Sequence, residues 1–242
     1  MEQRTYNQYC ATARTLDIVG ERWTLLLIRE LMTGPKRFGD LQASLRGLGT
    51  GLLSARLKHL EREGLAEKIT LPPPARTPAY ALTGAGAELG PAVLALATWG
   101  MKWAMGERRD GEAFHPGWAV LGLKTCFNPE AAAGVRAVYE FRVGEEIFHA
   151  EIDDGALETA HGPSHRPDVV IETDDATFLE VFTGDRALAD AVEAGDMAVS
   201  GDGGRLRRLG AFFTWPERGE RTAAERARRR APDHGSPGYN GP

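Results

Sequence analysis

The sequence predicts two domains in series: a mainly α N-terminal unit that ends in a β-hairpin, and an α+β unit after it. Three observations carry this. Across residues 10–105 apolar side chains recur at helical spacing in short blocks, broken by Gly34-Pro35 and Gly47-Leu48-Gly49. A stretch with four prolines, residues 71–78, separates two short strand-like runs. Beyond residue 118 strand-like alternation and aspartate-headed helical patterns interleave, which is the order of an α+β layer. A chain of 242 residues, 42% of them apolar, has material for both cores.

The first helix is expected over 10–19 and the second over 23–32, where Trp23, Leu26, Leu27, Ile28 and Leu31 recur at helical spacing. A third, shorter one starts at Phe38 with Leu41 and Leu45 on its face. After the glycine turn, 50–63 reads as a helix with Leu53, Leu57 and Leu60 on one side and Gly64 as its C-terminal cap. This is a helix, a tight turn and a second helix. Residues 65–70 and 79–82 then form a two-stranded wing around the prolines. Thr83 is expected to cap one long apolar helix through Leu89, Val93, Leu96, Trp99, Met101 and Trp103 to about Met105. Its surplus apolar surface, with the first helix, suits contact with a second copy of the chain.

Residues 106–117 read as a polar, glycine-containing linker. In the second unit, 118–125, 135–143, 146–152 and 168–172 are expected as strands, the first three of them in an antiparallel meander. Asp174 and Asp185 each head a helix, the latter ending at Gly195. Residues 197–200 add an edge strand, and 204–213 form a last helix with Leu206, Leu209, Phe212 and Phe213 on one side. Residues 216–242, with arginines at 228–230 and almost nothing apolar, read as a disordered, solvated tail. The domain plan is therefore 1–105, a linker at 106–117, 118–215, and a tail at 216–242.

The net charge of −5 is unevenly spread: residues 1–105 carry +4, 106–215 carry −11 and 216–242 carry +2. Only the first block favours phosphate, and the acidic block should face away from it. Cys10 and Cys126 are too few for a disulfide framework and make no zinc motif. Residues 1–19 carry Glu2, Arg4, Arg14 and Asp17 in place of an apolar leader, and no stretch of eighteen apolar residues follows. A cytoplasmic protein without a membrane partner is expected. Catalytic constellations are not convincing: the prolines around His161, His165 and Asp168 suit a polar loop, Asp153-Asp154-Gly155 suits a turn, and Gly201-Asp202-Gly203-Gly204 lacks a phosphate-loop lysine. No enzyme activity, metal or cofactor is expected.

The features Trp23-Thr24, Arg37-Phe38-Gly39-Asp40-Leu41, Leu53-Ser54-x-Arg56-Leu57-x-x-Leu60-Glu61-x-x-Gly64-Leu65 and Tyr80-x-Leu82-Thr83 coincide within residues 8–105. This stretch resembles the HxlR family of bacterial winged helix-turn-helix regulators. The resemblance implies homodimers that bind inverted-repeat operators in double-stranded DNA, usually as repressors. The fourth helix then enters the major groove, where its leading, solvent-facing residues Thr50, Gly51, Ser54 and Ala55 reach base edges. Arg56 and Lys58 reach phosphate or a guanine edge, unless they form a solvated face or pair with glutamates, and Arg76 at the wing tip meets the minor groove. Gly49 and Gly51 stand where many relatives carry longer polar side chains, which thins base readout. Cys10 stands where a number of these regulators carry a redox-sensing thiol; a small packed side chain is the other reading.

Residues 118–215, through Val138-Tyr139-Glu140-Phe141, Asp168-Val169-Val170-Ile171-Glu172 and the later Gly195-Asp196 and Gly201-Asp202 pairs, resemble the sterol-carrier-protein α+β fold. That resemblance implies an apolar tunnel lined by Phe178, Phe182, Val192 and Met197 with Leu206, Leu209, Phe212 and Phe213, unless this stripe is plain core. The expected function is a homodimeric DNA-binding transcription regulator, acting as a repressor and controlled by an apolar small molecule. The alternative is a lipid or acyl-chain carrier with a non-selective DNA-binding head.

Overall fold

The computed structural model describes residues 5–105, 111–112 and 114–216. Residues 106–110 and 113 of the expected linker, and the tail beyond Pro216 with its arginines at 228–230, lie outside the described residues.

The N-terminal unit runs α1 (Ala11–Val19), α2 (Thr24–Met32), α3 (Phe38–Ser44), α4 (Thr50–Arg62), β1 (Ala66–Thr70) and β2 (Pro78–Leu82). Its core is the predicted stripe: Leu27, Ile28 and Leu31 of α2 meet Leu41 of α3 and Leu53, Leu57 and Leu60 of α4, all buried. Each such leucine contributes about 1.5–3 kcal/mol by leaving water. Gly64 ends α4 at φ +70°, where a Cβ would be strained. β1 and β2 pair antiparallel from Ala66 opposite Leu82 to Thr70 opposite Pro78. Lys36 adds a third rung: its N–H donates to the Tyr80 carbonyl (2.9 Å), and its carbonyl accepts from the Tyr80 N–H (2.8 Å). The wing is thereby tied to the start of α3.

Thr83 does not cap one long helix. Its Oγ1 accepts from Gly86 N (3.1 Å) and caps only α5 (Gly84–Ala87); a turn precedes α6 (Gly90–Trp103). Pro91 explains the break, since proline has no N–H to give to a preceding turn and fits the first turn of a new helix.

The second unit contains a 3₁₀ turn (Pro116–Trp118), α7 (Ala119–Cys126), β3 (Arg136–Val143), β4 (Glu146–Asp153), β5 (Ala156–His161), β6 (Val169–Thr173), α8 (Asp175–Thr183), α9 (Leu188–Glu193), β7 (Met197–Gly201) and α10 (Gly203–Phe212). The sheet order is β5-β4-β3-β6-β7, antiparallel except for β3 and β6. One sheet face, Tyr139, Phe141 and Val143 of β3 with Phe148, Ala150 and Ile152 of β4, is buried under the helices.

Three expectations change here. Residues 118–125 are the helix α7, not a strand: an unbroken apolar run cannot be told from a buried helix by periodicity, and this one packs against α6, β4 and β5. Gly122 also lets the Phe182 ring of α8 lie against α7, because a Cβ there would lie 2.8 Å from that ring. α9 starts at Leu188 with Ala187 as its N-cap, not at Asp185, whose carboxylate accepts from Thr183 Oγ1 (2.7 Å). β5 was not foreseen, since its polar, half-exposed residues give little apolar alternation. Asp174 caps α8 as expected, accepting from Ala176 N (2.8 Å) and Thr177 N (2.9 Å). These bonds, that of Thr177 foremost, hold its carboxyl below the ordinary range.

The two units meet along α2, α6 and α7. Trp118 Nε1 donates to Oε1 of the buried Glu30 (2.9 Å), which also pairs with Arg29 (2.5 Å), while the Arg29 guanidinium lies 4.1 Å from the Trp118 ring centre. Cys126 Sγ sits 3.9 Å from Met101 Sδ of α6, and burial pushes its thiol up to about 11. Beside this seam, His161 Nε2 is buried without a hydrogen-bond partner.

Candidate nucleic-acid interface

Burial of Leu53, Leu57 and Leu60 fixes the rotation of α4 and so decides what it shows to solvent. Thr50, Gly51, Ala55 and Lys58 are exposed, and Ser54 is half-buried between the two faces. Gly49, at the N-cap, brings no side chain to the first-turn N–H groups of α4. Arg76 is exposed at the wing tip with φ +43°.

Arg56 is placed differently from the others. Its Nη2 lies 2.8 Å from Glu21 Oε2, its Nε donates to the Arg22 carbonyl (3.3 Å), and its side chain is only 16% exposed. One turn on, His59 Nε2 is 2.8 Å from the Ile18 carbonyl. Together they strap α4 to the end of α1. Of the two expectations for Arg56 and Lys58, pairing with a glutamate describes Arg56, and Lys58, exposed, makes no ion pair among the described residues.

Sequence reasoning overlooked Leu52, 41% exposed in the first turn of α4, where it can meet a thymine methyl. Its signal was an apolar residue off the Leu53-Leu57-Leu60 stripe. Arg37 and Arg46, both exposed, flank the same turn region.

Cys10 is exposed immediately before α1. The N–H groups of Ala13 and then Thr12 hold its thiol below the ordinary range.

The side chains expected around an apolar tunnel are largely packed against one another. Phe178, Met197, Leu209 and Phe212 are buried, Phe182, Leu206 and Phe213 pack on that core, and Val192 is 38% exposed. Phe178 stacks on Phe182 (5.6 Å) and meets Phe141 and Phe148 edge-on (6.2 and 5.8 Å). His161, His165 and Asp168 do not converge: His161 faces Glu146 (3.9 Å), Asp168 accepts from Val138 N (2.8 Å) and pairs with Arg205, and His165 is exposed. Among the described residues no group of three His, Cys, Asp or Glu could hold a metal ion, and no helix is long and apolar enough to cross a membrane.

Two family models match the chain: HxlR-like helix-turn-helix over residues 18–108, and alkyl sulfatase C-terminal over residues 124–219. The HTH-type transcriptional regulator Mb3122 of Mycobacterium bovis is 40% identical over 90 residues, 37% of this chain and 56% of that protein. The chain thus spans little more than half the length of this relative. YvaP of Bacillus subtilis, also an HTH-type transcriptional regulator, is 33% identical over 90 residues, 37% of this chain and 83% of YvaP. Among solved structures, the reduced form of the transcriptional regulator YodB from B. subtilis is 29% identical, covering 39% of this chain and 94% of that one, with a TM-score of 0.35.

Proposed function

We propose, for a chain that belongs to the HxlR-like helix-turn-helix family of transcriptional regulators, that it represses by binding an inverted-repeat operator as a homodimer, with its C-terminal domain as a ligand sensor. DNA binding itself comes with the family. The observation that carries the finer reading is the orientation of α4: one face is sealed into the core, and the other presents Thr50, Gly51, Leu52, Ala55 and Lys58 beside a wing bearing Arg76. Phosphate contacts from Lys58 and Arg76 position the helix, and the short side chains at its start leave base readout to close approach and the Leu52 methyls.

Homodimer formation is supported by apolar side chains left uncovered on α1, α6 and just before α1: Tyr9, Leu16, Leu96 and Trp99, the last 55% exposed. Two copies related by a twofold axis place two α4 helices on successive half-sites, which is the geometry an inverted repeat requires. The domain plan of a reading head up to about residue 105 and a separate sensor from about residue 118 goes with this proposal. A cytoplasmic location does as well.

The test is a mobility shift of the purified full-length protein on its own upstream DNA against scrambled DNA, at fixed salt, with and without small amphiphiles. A selective shift relieved by one compound upholds the sensor. A selective shift that no amphiphile alters leaves the regulator and removes the sensor; no selective shift overturns the proposal in favour of a carrier.

A further inference from the structure

We infer that His161 is a proton switch in the seam between the two units: a proton on its ring loosens the contact between the second unit and the DNA-reading unit and lowers affinity for duplex DNA. The DNA readout rests on the regulator reading; the loosening of the seam does not.

His161 ends β5 with its ring against Gly117 of the 3₁₀ turn, where a Cβ would lie 3.0 Å from Cε1. Nε2 is buried and has no hydrogen-bond partner, and Nδ1 lies 3.9 Å from Glu146 Oε2, too far for a hydrogen bond. Two charged groups bear on the ring: Glu146 at the start of β4, and the half-buried Lys36 from the turn before α3 of the reading unit. The other neighbours are uncharged there. Thr159, on the same side of β5, donates to the Val120 carbonyl of α7 (3.3 Å), and His115, before the 3₁₀ turn, faces the Trp118 ring (5.4 Å).

A neutral imidazole has one N–H and one bare nitrogen, so the buried Nε2 can stay bare, whereas the protonated ring carries an N–H on both. Nε2 would then be a buried, charged donor without an acceptor, at greater cost than a neutral group left unpaired. It would also set a second cation beside Lys36. Both costs are relieved when the ring moves away from Gly117 and Lys36. Burial first and Lys36 second hold its proton affinity below the ordinary 6.5, and Glu146 opposes them.

Two contacts carry that movement into the reading unit. Gly117 precedes Trp118, whose Nε1 donates to the buried Glu30 of α2 (2.9 Å) and whose ring lies 4.1 Å from the Arg29 guanidinium. Lys36 holds the wing through its two backbone bonds with Tyr80. The seam thereby reaches α2, which shares the buried core with α4, and the wing that bears Arg76. Linkage makes the effect reciprocal: if a proton on His161 weakens DNA binding, DNA lowers the affinity of His161 for the proton.

Fluorescence anisotropy of the full-length protein on its own upstream duplex and on scrambled DNA, at fixed salt from pH 7 to pH 5, tests the switch, with circular dichroism reporting the folded fraction. Added protons ordinarily strengthen binding to phosphate. The wild type is expected instead to lose affinity by at least about fivefold, and His161→Gln, neutral throughout, should not. Glu146→Gln, at a half-exposed position, should move the fall to lower pH, because the carboxylate that favours the protonated ring is gone. In NMR of the nitrogen-labelled protein, the Trp118 indole signal should follow the His161 titration, and duplex DNA should lower the pH at which that imidazole takes its proton. Were His161→Gln not to fold, the Glu146→Gln profile and the wild-type imidazole titration decide. An equal fall in His161→Gln, or an imidazole titration that DNA leaves unmoved, overturns the switch, and selective binding in the same experiment leaves the regulator standing. Non-selective binding that still falls through His161 overturns the regulator and leaves the switch.

Discussion

Arg56 and Lys58 lie two positions apart on α4, and the structure gives them different work. Lys58 stands on the exposed face, so Lys58→Ala is expected to weaken binding to operator and scrambled DNA alike and to lower the slope of log K against log salt by about 0.9, the loss of one phosphate contact. Titrations at several salt concentrations check this, and a loss confined to the operator would assign Lys58 to a base. Arg56 is tied to Glu21, which is half exposed, so the pair is worth about 0.5–1 kcal/mol of stability at most. Its larger effect is on where α4 sits. Glu21→Gln and Arg56→Gln should therefore lower operator affinity by similar factors, with little further loss in the double variant. If Glu21→Gln left affinity intact while Arg56→Gln reduced it, Arg56 would be a DNA contact. Both arginine and lysine were legible as cations on one helix. Which of them Glu21 captures was not, because the partner lies 35 residues away in the sequence and meets Arg56 only after α1 and α2 turn back.

Elements with a strong internal signal came out as their patterns predict: α2 and α4 from leucine spacing, the wing from its prolines, α8 from the capping Asp174 and α10 from the spacing of Leu206, Leu209 and Phe212. Elements whose state depends on a neighbour did not. α7 is helical because it is covered by α6, β4 and β5, and β5 is a strand because β4 offers it an edge. The seam between the units shows the same dependence. His161, at the end of β5, has its ring against Gly117; burial first, and the nearby Lys36 second, lower its proton affinity below the ordinary value of 6.5, with Glu146 opposing. Between the folded and the unfolded values, the unfolded chain binds a proton that the folded chain does not, so stability rises with pH there. The contribution is intact above 6.5 and is lost as the pH falls below it toward the folded value. Denaturant titrations from pH 7 to pH 5 should show this loss in the wild type and not in His161→Gln; parallel curves would remove His161 as the cause.

At the scale of the whole molecule, the reading head and the α+β unit share a continuous packed seam through Glu30, Trp118, Met101 and Cys126, while the outer faces of α1 and α6 remain uncovered. Burying those faces against a second copy accounts for Trp99 and Leu96 where the monomer does not. Trp99→Glu is expected to give a monomer in sedimentation velocity and to lower affinity for an inverted repeat by at least about tenfold, with little loss on a single half-site. A dimer that survives this charge would place the interface elsewhere. The sequence by itself determined the order of two units, the helix-turn-helix and its wing, the buried leucine stripe, and the family, because each is written in local spacing that burial and backbone geometry must obey. Only the tertiary structure decided that Arg56 turns inward and that the phenylalanine stripe is mostly packed core. Those outcomes depend on which distant groups reach each other first in space, and charge pairing and cavity shape are properties of that arrangement rather than of any segment.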